Sequence, residues 1–201
     1  YPSSKVLAAT PADFEKKNRR RLFARIATGD YDAVIVGHSS IGFIETPAAD
    51  LENIINEQVD ALNDALEQAR LNKESGRTLS QMRDKIKKYE EKLAELSERK
   101  TDDIGIDLEK MGVDYLAVDE AHEFKNLEYA TAGDRVVGMN DPKGSKRAFD
   151  LYAKIRGIQG RDGGVVFATG TPVSNSLVEI YTMMKYLAHD QLKERNQEHF
   201  D

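Results

Sequence analysis

The sequence contains no cysteine, so disulfides and thiolate metal sites are excluded. No apolar stretch approaches the roughly 20 residues that a membrane-spanning helix needs, and no signal-peptide pattern is present. Positive charge is not in excess. The 29 Lys and Arg face 35 Asp and Glu, a net charge of -6, which argues against a wholly basic nucleic-acid-binding module and leaves room for a local basic groove. The four histidines are scattered, without the spacing of a metal-ligand cluster. His122 and Glu123 begin an HExxH pattern, but its fifth position is Asn126, and Gly170 sits in no GxSxG elbow. A phosphate loop of the form GxxxxGK[ST] is missing too. The nearest stretch, GMNDPKGSK from Gly138 to Lys146, has one residue too many between its glycines and places Ser before Lys.

Two stretches carry chemistry. Val113 to Asn126 reads VDYLAVDEAHEFKN, an apolar run that delivers Asp119 and Glu120 at its end, then Ala121 and His122. Val165 to Asn175, VVFATGTPVSN, repeats the plan with a small polar loop in place of the acids. Open α/β sheets present reactive groups at the carboxyl ends of buried strands in this way. Adjacent carboxylates there suit magnesium-nucleotide chemistry: one holds the hydrated metal through water, the next polarises an attacking water. A pair of loop acids at a strand end, capping a helix, is the simpler alternative.

The remaining chain supplies a frame. Lys5 to Ala9 reads as a strand. Thr10, Pro11 and Asp13 then start a helix that runs to about Ala27 and closes near Gly29. Its polar face carries Lys16, Lys17, Arg19, Arg20 and Arg21, either a solvated face or a phosphate contact. Ala33 to Val36 is a second strand, uninterrupted by charge and so expected to be buried on both faces, followed by a polar loop with His38, Ser39 and Ser40. Thr46 and Pro47 open a heptad seam of Leu51, Ile55, Val59, Leu62, Leu66 and Ala69. After a turn at 73–77, Leu79, Met82, Ile86, Tyr89, Leu93 and Leu96 form a second seam, with Thr78 and Gln81 as a capping box. The two helices are expected to fold back as an antiparallel hairpin that projects from the lobe and whose removal, Pro47 to Lys100, leaves the lobe foldable. Whether this arm is inert or contacts a protein partner or nucleic acid stays open.

Glu128 to Gly144 has no periodicity and reads as a long loop. Ser145 to Gln159 is amphipathic, Val165 to Ala168 is a strand, and Ser176 with Glu179 caps a last helix to about Ala188. The order of elements predicts an α/β fold, a parallel sheet with helices on both faces, interrupted by the helical hairpin. Residues 1–46 and 101–201 would form the lobe and residues 47–100 the insertion.

Asp119, Glu120, Ala121 and His122 resemble the Walker B box of superfamily-two helicases and translocases, the DEAH-box ATPases. With Lys125 and Asn126 following, the box looks like that of the Swi/Snf-type branch, which moves along double-stranded DNA. Thr169, Gly170, Thr171 and Pro172, with Asn175 after them, are similar to that branch's motif III, and Tyr31 to Ser40 resembles its strand that ends in a polar loop near DNA. The resemblance implies a partial RecA-like lobe with ATP and Mg2+ as cofactors of the intact protein. It implies that Asp119 holds Mg2+ through water, that Glu120 activates water and that His122 links the nucleotide site to Thr169 and Thr171. His38, Ser39 and the basic helix face would contact DNA. Lys125 and Asn126 mark the branch without a chemical role.

In that family the phosphate loop lies upstream and the arginine finger on a second RecA-like lobe downstream. The chain also begins at Tyr1 rather than Met, so it is expected to be a piece of a longer, cytoplasmic bacterial protein. Alone it should neither bind ATP tightly nor hydrolyse it. Proteins of mobile elements and phages that join such a lobe to an adenine methyltransferase look similar. Two alternatives stand beside this reading: a non-catalytic interaction module whose hairpin is the working part, and an RNA helicase, against which the Lys-Asn pair argues.

Overall fold

The structure, a computed structural model, describes residues 3–99, 106–127, 144–173, 178–195 and 197. The expected 128–144 loop lies almost wholly outside these residues, as do Asn175 and Ser176. The described elements are strand β1 (Val6–Ala8), helix α1 (Lys16–Thr28), strand β2 (Ala33–Ile35), the long helices α2 (Ala48–Leu71) and α3 (Gly76–Arg99), strand β3 (Tyr115–Val118), helix α4 (Lys146–Gln159), strand β4 (Gly164–Phe167), and helices α5 (Val178–Leu187) and α6 (His189–Glu194). The chain is a mixed α/β protein with parallel strands, as its pattern predicts.

The strands pair as two parallel ladders. β1 lies beside β2 with Leu7 opposite Val34, and β3 beside β4 with Leu116 opposite Val165 and Val118 opposite Phe167. Register-matched residues share a face. The row containing Leu7, Val34, Leu116, Val118 and Val165 therefore turns to the core, and the alternate row turns out. Ile35 is 60% and Tyr115 56% exposed on that outer row. The expectation that β2 is buried on both faces is thus overturned. An apolar run reports a strand; it does not report whether a second layer covers it.

Local chemistry shifts two helix starts. Thr10 and Asp13 do form a reciprocal cap, Asp13 accepting from the Thr10 N–H at 2.8 Å and from its hydroxyl at 2.7 Å. Those bonds hold the Asp13 carboxyl below its usual range. They close only the 3-10 turn Pro11–Phe14; Glu15 breaks the path, and α1 begins afterwards at Lys16. At α3 the cap is Ser75, whose hydroxyl accepts from the Thr78 N–H at 3.2 Å, so Thr78 is inside the helix rather than its cap. Ser145 caps α4 in the same way through the Ala148 N–H at 3.0 Å.

Helices α2 and α3, 24 residues each, pack along the predicted seam. Ile55, Leu62, Leu66 and Ala69 meet Met82, Ile86 and Tyr89. The antiparallel pairing brings Gln58 within 3.4 Å of the Tyr89 hydroxyl. Glu45 and Asp107 form an isolated parallel bridge, so the chain leaves and rejoins the lobe at neighbouring points.

The arm's near end is not self-contained. Ile54 belongs to the lobe core with Leu151 and Ile155, and Phe149 of α4 touches both cores. Lys154, buried in α4, reaches Thr46 Oγ1 at 3.1 Å and Asp150 at 2.5 Å, which ties α4 to the root of α2. Glu57 gathers two cations, Arg156 at 3.2 Å and Lys193 at 3.7 Å, and the His189 imidazole at 3.6 Å. The seam is therefore not self-contained at its root, where the arm shares its packing with the lobe. The seam positions predict which residues face a partner helix, and the first two turns of α2 have α4 as a second one.

Two outcomes test this packing. Deleting residues 47–100 should unfold the lobe or sharply lower its urea midpoint, whereas excising 60–87 and closing on a Gly-Asn turn should not. The second concerns pH. Burial, with the Arg156 charge adding to it, pushes His189 from 6.5 down to about 4. The imidazole faces Tyr152, Glu57, Arg156, Lys185 and Asp190. The unfolded chain takes up this proton near pH 6.5 and the folded chain only near 4. The stabilisation is therefore complete above pH 6.5 and is lost as pH falls toward 4. The urea midpoint should drop between neutral pH and that range, and His189→Gln should flatten the drop, by on the order of 2 kcal/mol.

Candidate functional site

The C-terminal ends of β3 and β4 lie side by side and stay joined beyond the strands. Ala168 N–H donates to Val118 C=O at 2.8 Å, and Ala121 N–H to Ala168 C=O at 3.0 Å. The turn after Asp119 and the loop beginning at Thr169 are thus spliced by backbone bonds. Sequence separation hides this neighbourhood, which the ladder register creates.

Asp119 and Glu120 are both exposed. Glu120 N–H donates to Asp119 Oδ1 at 2.9 Å, which orients the first carboxylate. Glu120 itself is left-handed, at φ 48° and ψ 43°. A non-glycine residue pays on the order of 1–2 kcal/mol for this conformation. The reversal starts a single 3-10 turn, Ala121–Phe124, and brings His122 back under Glu120. His122 Nδ1 lies 3.2 Å from Glu120 Oε2 and 3.1 Å from Thr169 Oγ1. Thr169 Oγ1 in turn accepts the Thr171 N–H at 3.1 Å. The Nδ1 hydrogen bond is with Thr169 Oγ1, and the Glu120 carboxylate lies within ion-pair range of the same nitrogen. On the other edge of the ring, Nε2 stands 3.8 Å from Glu123 Oε1. His122 thus sits between the second acid and the loop after β4.

Other residues buttress this turn. Phe124 is buried, with the His38 ring edge-on at 5.0 Å and the Arg147 guanidinium at 5.1 Å. Arg147 also donates to Glu123, to its carbonyl at 3.2 Å and its carboxylate at 3.1 Å. Tyr186, fully buried on α5, places its hydroxyl 2.9 Å from Phe124 C=O and 3.0 Å from Ala148 C=O. Burial raises that phenol far above its usual pKa. Lys125 Nζ meets Glu179 Oε1 at 2.8 Å, with Glu179 buried at the start of α5. Asn126 C=O accepts the Ser145 N–H at 2.8 Å, which fixes the start of α4.

Of the predicted site residues, the structure brings together Asp119, Glu120, His122, Thr169 and Thr171, with His38 joining through Phe124. Gly170 and Pro172 lie on the same exposed loop, and Asn175 is outside the described residues. Lys125 and Asn126, without a role on sequence grounds, tie the acid turn to α5 and α4. The basic residues of α1 differ in their surroundings. Lys16, Arg20 and Arg21 are exposed, Lys17 pairs with Glu15 at 3.3 Å, and Arg19 packs over the Phe43 ring at 4.7 Å. Ser39 is exposed. Phe124, Arg147, Glu179 and Tyr186 are the contributors that sequence reasoning missed. Glu179 was readable only as a local helix acid; its partner stands 54 positions away.

A cleft of about 580 Å³ lies elsewhere, at the root of the arm, lined by Asp50, Glu57, Arg156 and Arg161 among others. Its arginines already pair with its own acids, Arg156 with Glu57 and Arg161 with Glu109 at 3.7 Å. Burial raises Asp50 there, and Gly157 makes room for it, since a Cβ on that glycine would stand 2.8 Å from the carboxylate. This cleft holds the arm and shares no residue with the acid turn.

A family model described as a probable helicase domain matches residues 1–201. The chain belongs to this helicase-related family. No curated protein and no solved structure matches it.

The buttress has a measurable consequence. Lys125→Met should remove the cation that faces the buried Glu179 carboxylate and destabilise the chain by about 1–3 kcal/mol in urea unfolding. Adding Glu179→Gln to the same chain should recover part of the loss. Equal losses in the single and double variants would show that the pair is not coupled.

Proposed function

We propose that this helicase-family chain is part of the motor of a DNA-dependent ATPase, a Swi/Snf-type superfamily-two translocase, contributing part of its first RecA-like lobe. The supporting observation is the junction of the two motifs, with His122 Nδ1 within reach of both Glu120 and Thr169. ATP would be the substrate and duplex DNA the track, with a second RecA-like lobe of the same protein closing over the nucleotide.

The residues fit a hydrated Mg2+. Asp119 offers one exposed, oriented carboxylate, and among the described residues no group of three or more His, Asp or Glu gathers that could cage a metal alone. Such a site suits a cation that keeps its waters and takes its other ligands from phosphates. Mg2+ would supply charge neutralisation on the phosphate oxygens. Glu120, with His122 Nδ1 beside it, would orient and polarise the attacking water. Changes in the state of Glu120 would pass through His122 to the Thr169–Pro172 loop and, through Lys125 and Glu179, to α5. The sequence has no GxxxxGK[ST] loop, so the phosphates would be gripped by a segment outside these 201 residues.

Glu120→Gln in the full-length protein should lower ATP turnover by about 100-fold or more while leaving nucleotide binding intact. Turnover that survives the substitution would remove Glu120 from the water-activating role. Turnover by the 201 residues alone would show that no outside phosphate loop is required.

A further inference from the structure

The two helices of the arm carry opposite charge. Residues 48–69 of α2 hold six acids and no base, whereas residues 70–88, the tip and the first half of α3, hold seven bases and two acids in a chain of net charge -6. Arg70, Lys73, Arg77, Arg83, Lys87 and Lys88 are all exposed. Lys87 has an ion pair with Glu91, at 3.9 Å on the open surface, where such pairs hold little energy. Further down α3, Lys92 lies 4.1 Å over the ring of Phe149 on α4, which is preceded by Lys146 and Arg147. Arg147 ends at Glu123 of the acid turn. Beyond Lys88 the charge of α3 reverses, with Glu90, Glu91, Glu95 and Glu98 against Lys92 and Arg99, so the basic excess is confined to the tip and the first half of α3.

We infer that the tip and the basic half of α3 form a docking surface for the phosphate backbone of duplex DNA, separate from the acid turn. The inference deepens the proposed function, since it adds a second DNA contact to the same motor. A packed helical arm about 36 Å long is a stiff support, and side chains on it keep a fixed spacing. Neutralising phosphates with such a row releases counterions and needs no base contact. The arm also lacks what single strands require. Its one aromatic residue, Tyr89, is buried in the seam, so no ring is offered for stacking an unpaired base. The acidic α2 side would repel the same backbone, so DNA would approach from the tip and α3 only.

The test is fluorescence anisotropy of the 201-residue chain on a labelled mixed-sequence duplex across a salt series, without ATP. The variant carries Arg77→Gln, Lys87→Gln and Lys88→Gln, all at exposed positions, with unfolding checked by circular dichroism. Its log K against log salt slope should fall by roughly 2 to 3, close to 0.9 for each lost phosphate contact. A milder pair, Lys73→Gln with Arg77→Gln, should give an intermediate slope. Asp60→Asn with Asp64→Asn on α2 should not reduce it. An unchanged slope in the triple variant overturns the inference. So does a slope abolished instead by Lys16→Gln, Arg20→Gln and Arg21→Gln on α1. Equal affinity for single-stranded DNA or RNA, or retention of an acidic protein without the duplex, overturns the choice of partner. Failure of the ATPase reading is visible separately, as absence of DNA-stimulated turnover in the full-length wild-type protein, and leaves the arm's slope unaffected.

Discussion

Helix α4 is the constraint on which the other elements depend. Ala148, Leu151, Tyr152, Ala153, Ile155 and Ile158 are all buried, and so is Lys154. A helix covered on more than one face must satisfy several neighbours at once. One side packs under β3 and β4, another receives Tyr186 from α5, and a third holds the root of the arm through Lys154 and Arg156. The first turn of α4 reaches the acid turn through Arg147 and the Ser145 N–H. Interiors packed to this density transmit displacement rather than absorb it. A shift of the arm's root would therefore be felt at Phe124 and Glu123, and a shift at the acid turn would be felt at Glu57.

The connection between arm and lobe is apolar at Ile54 and Phe149 and polar at Glu57, and the polar part matters for how it could move. Glu57 faces Arg156, His189 and Lys193, while the Tyr152 hydroxyl shares a hydrogen bond with His189 Nδ1 at 2.9 Å and takes one from Arg156 at 3.2 Å. His189 Nε2 stands 3.6 Å from Glu57, too far for a hydrogen bond. A network held at a single carboxylate can exchange partners with less disturbance than an apolar interface, in which every displacement opens a void.

Periodicity made much of this legible in the sequence. The arm's seam, the buried face of α4 and the acid-bearing strand end follow from spacing alone, because one helix face or one strand face must meet something apolar. What the sequence left hidden falls into two physical kinds. Competition between neighbouring hydroxyls decides caps, so Ser75 displaced Thr78 at α3, and a single extended residue at Glu15 split one predicted helix into a 3-10 turn and α1. Long-range side-chain pairs are the other kind: Lys125 with Glu179, His38 with Phe124, and Glu57 with Arg156 and His189 on two later helices. Nothing in the local pattern of either partner announces the other. The exposed outer row of Ile35 and Tyr115 shows the same limit from the opposite side, since an apolar residue specifies a preference and not the layer that meets it.

The strain at Glu120 bears most directly on what the acid turn is for. Glycine or asparagine would adopt φ 48° at lower cost, and either would still let the chain reverse into the Ala121–Phe124 turn. Glutamate there gains no burial, since the residue is exposed. Among the described residues its carboxylate meets His122 Nδ1 at 3.2 Å, and an exposed pair of that kind contributes little to stability. Folding alone therefore does not account for this residue in this conformation. The strained position does hold a carboxylate in solvent, immediately beside Asp119 and next to the His122 imidazole, which also touches the loop after β4. That arrangement costs stability locally and is maintained by the splice of β3 to β4 and by Phe124 packed beneath the turn, which is how strain persists where a surrounding structure over-determines it.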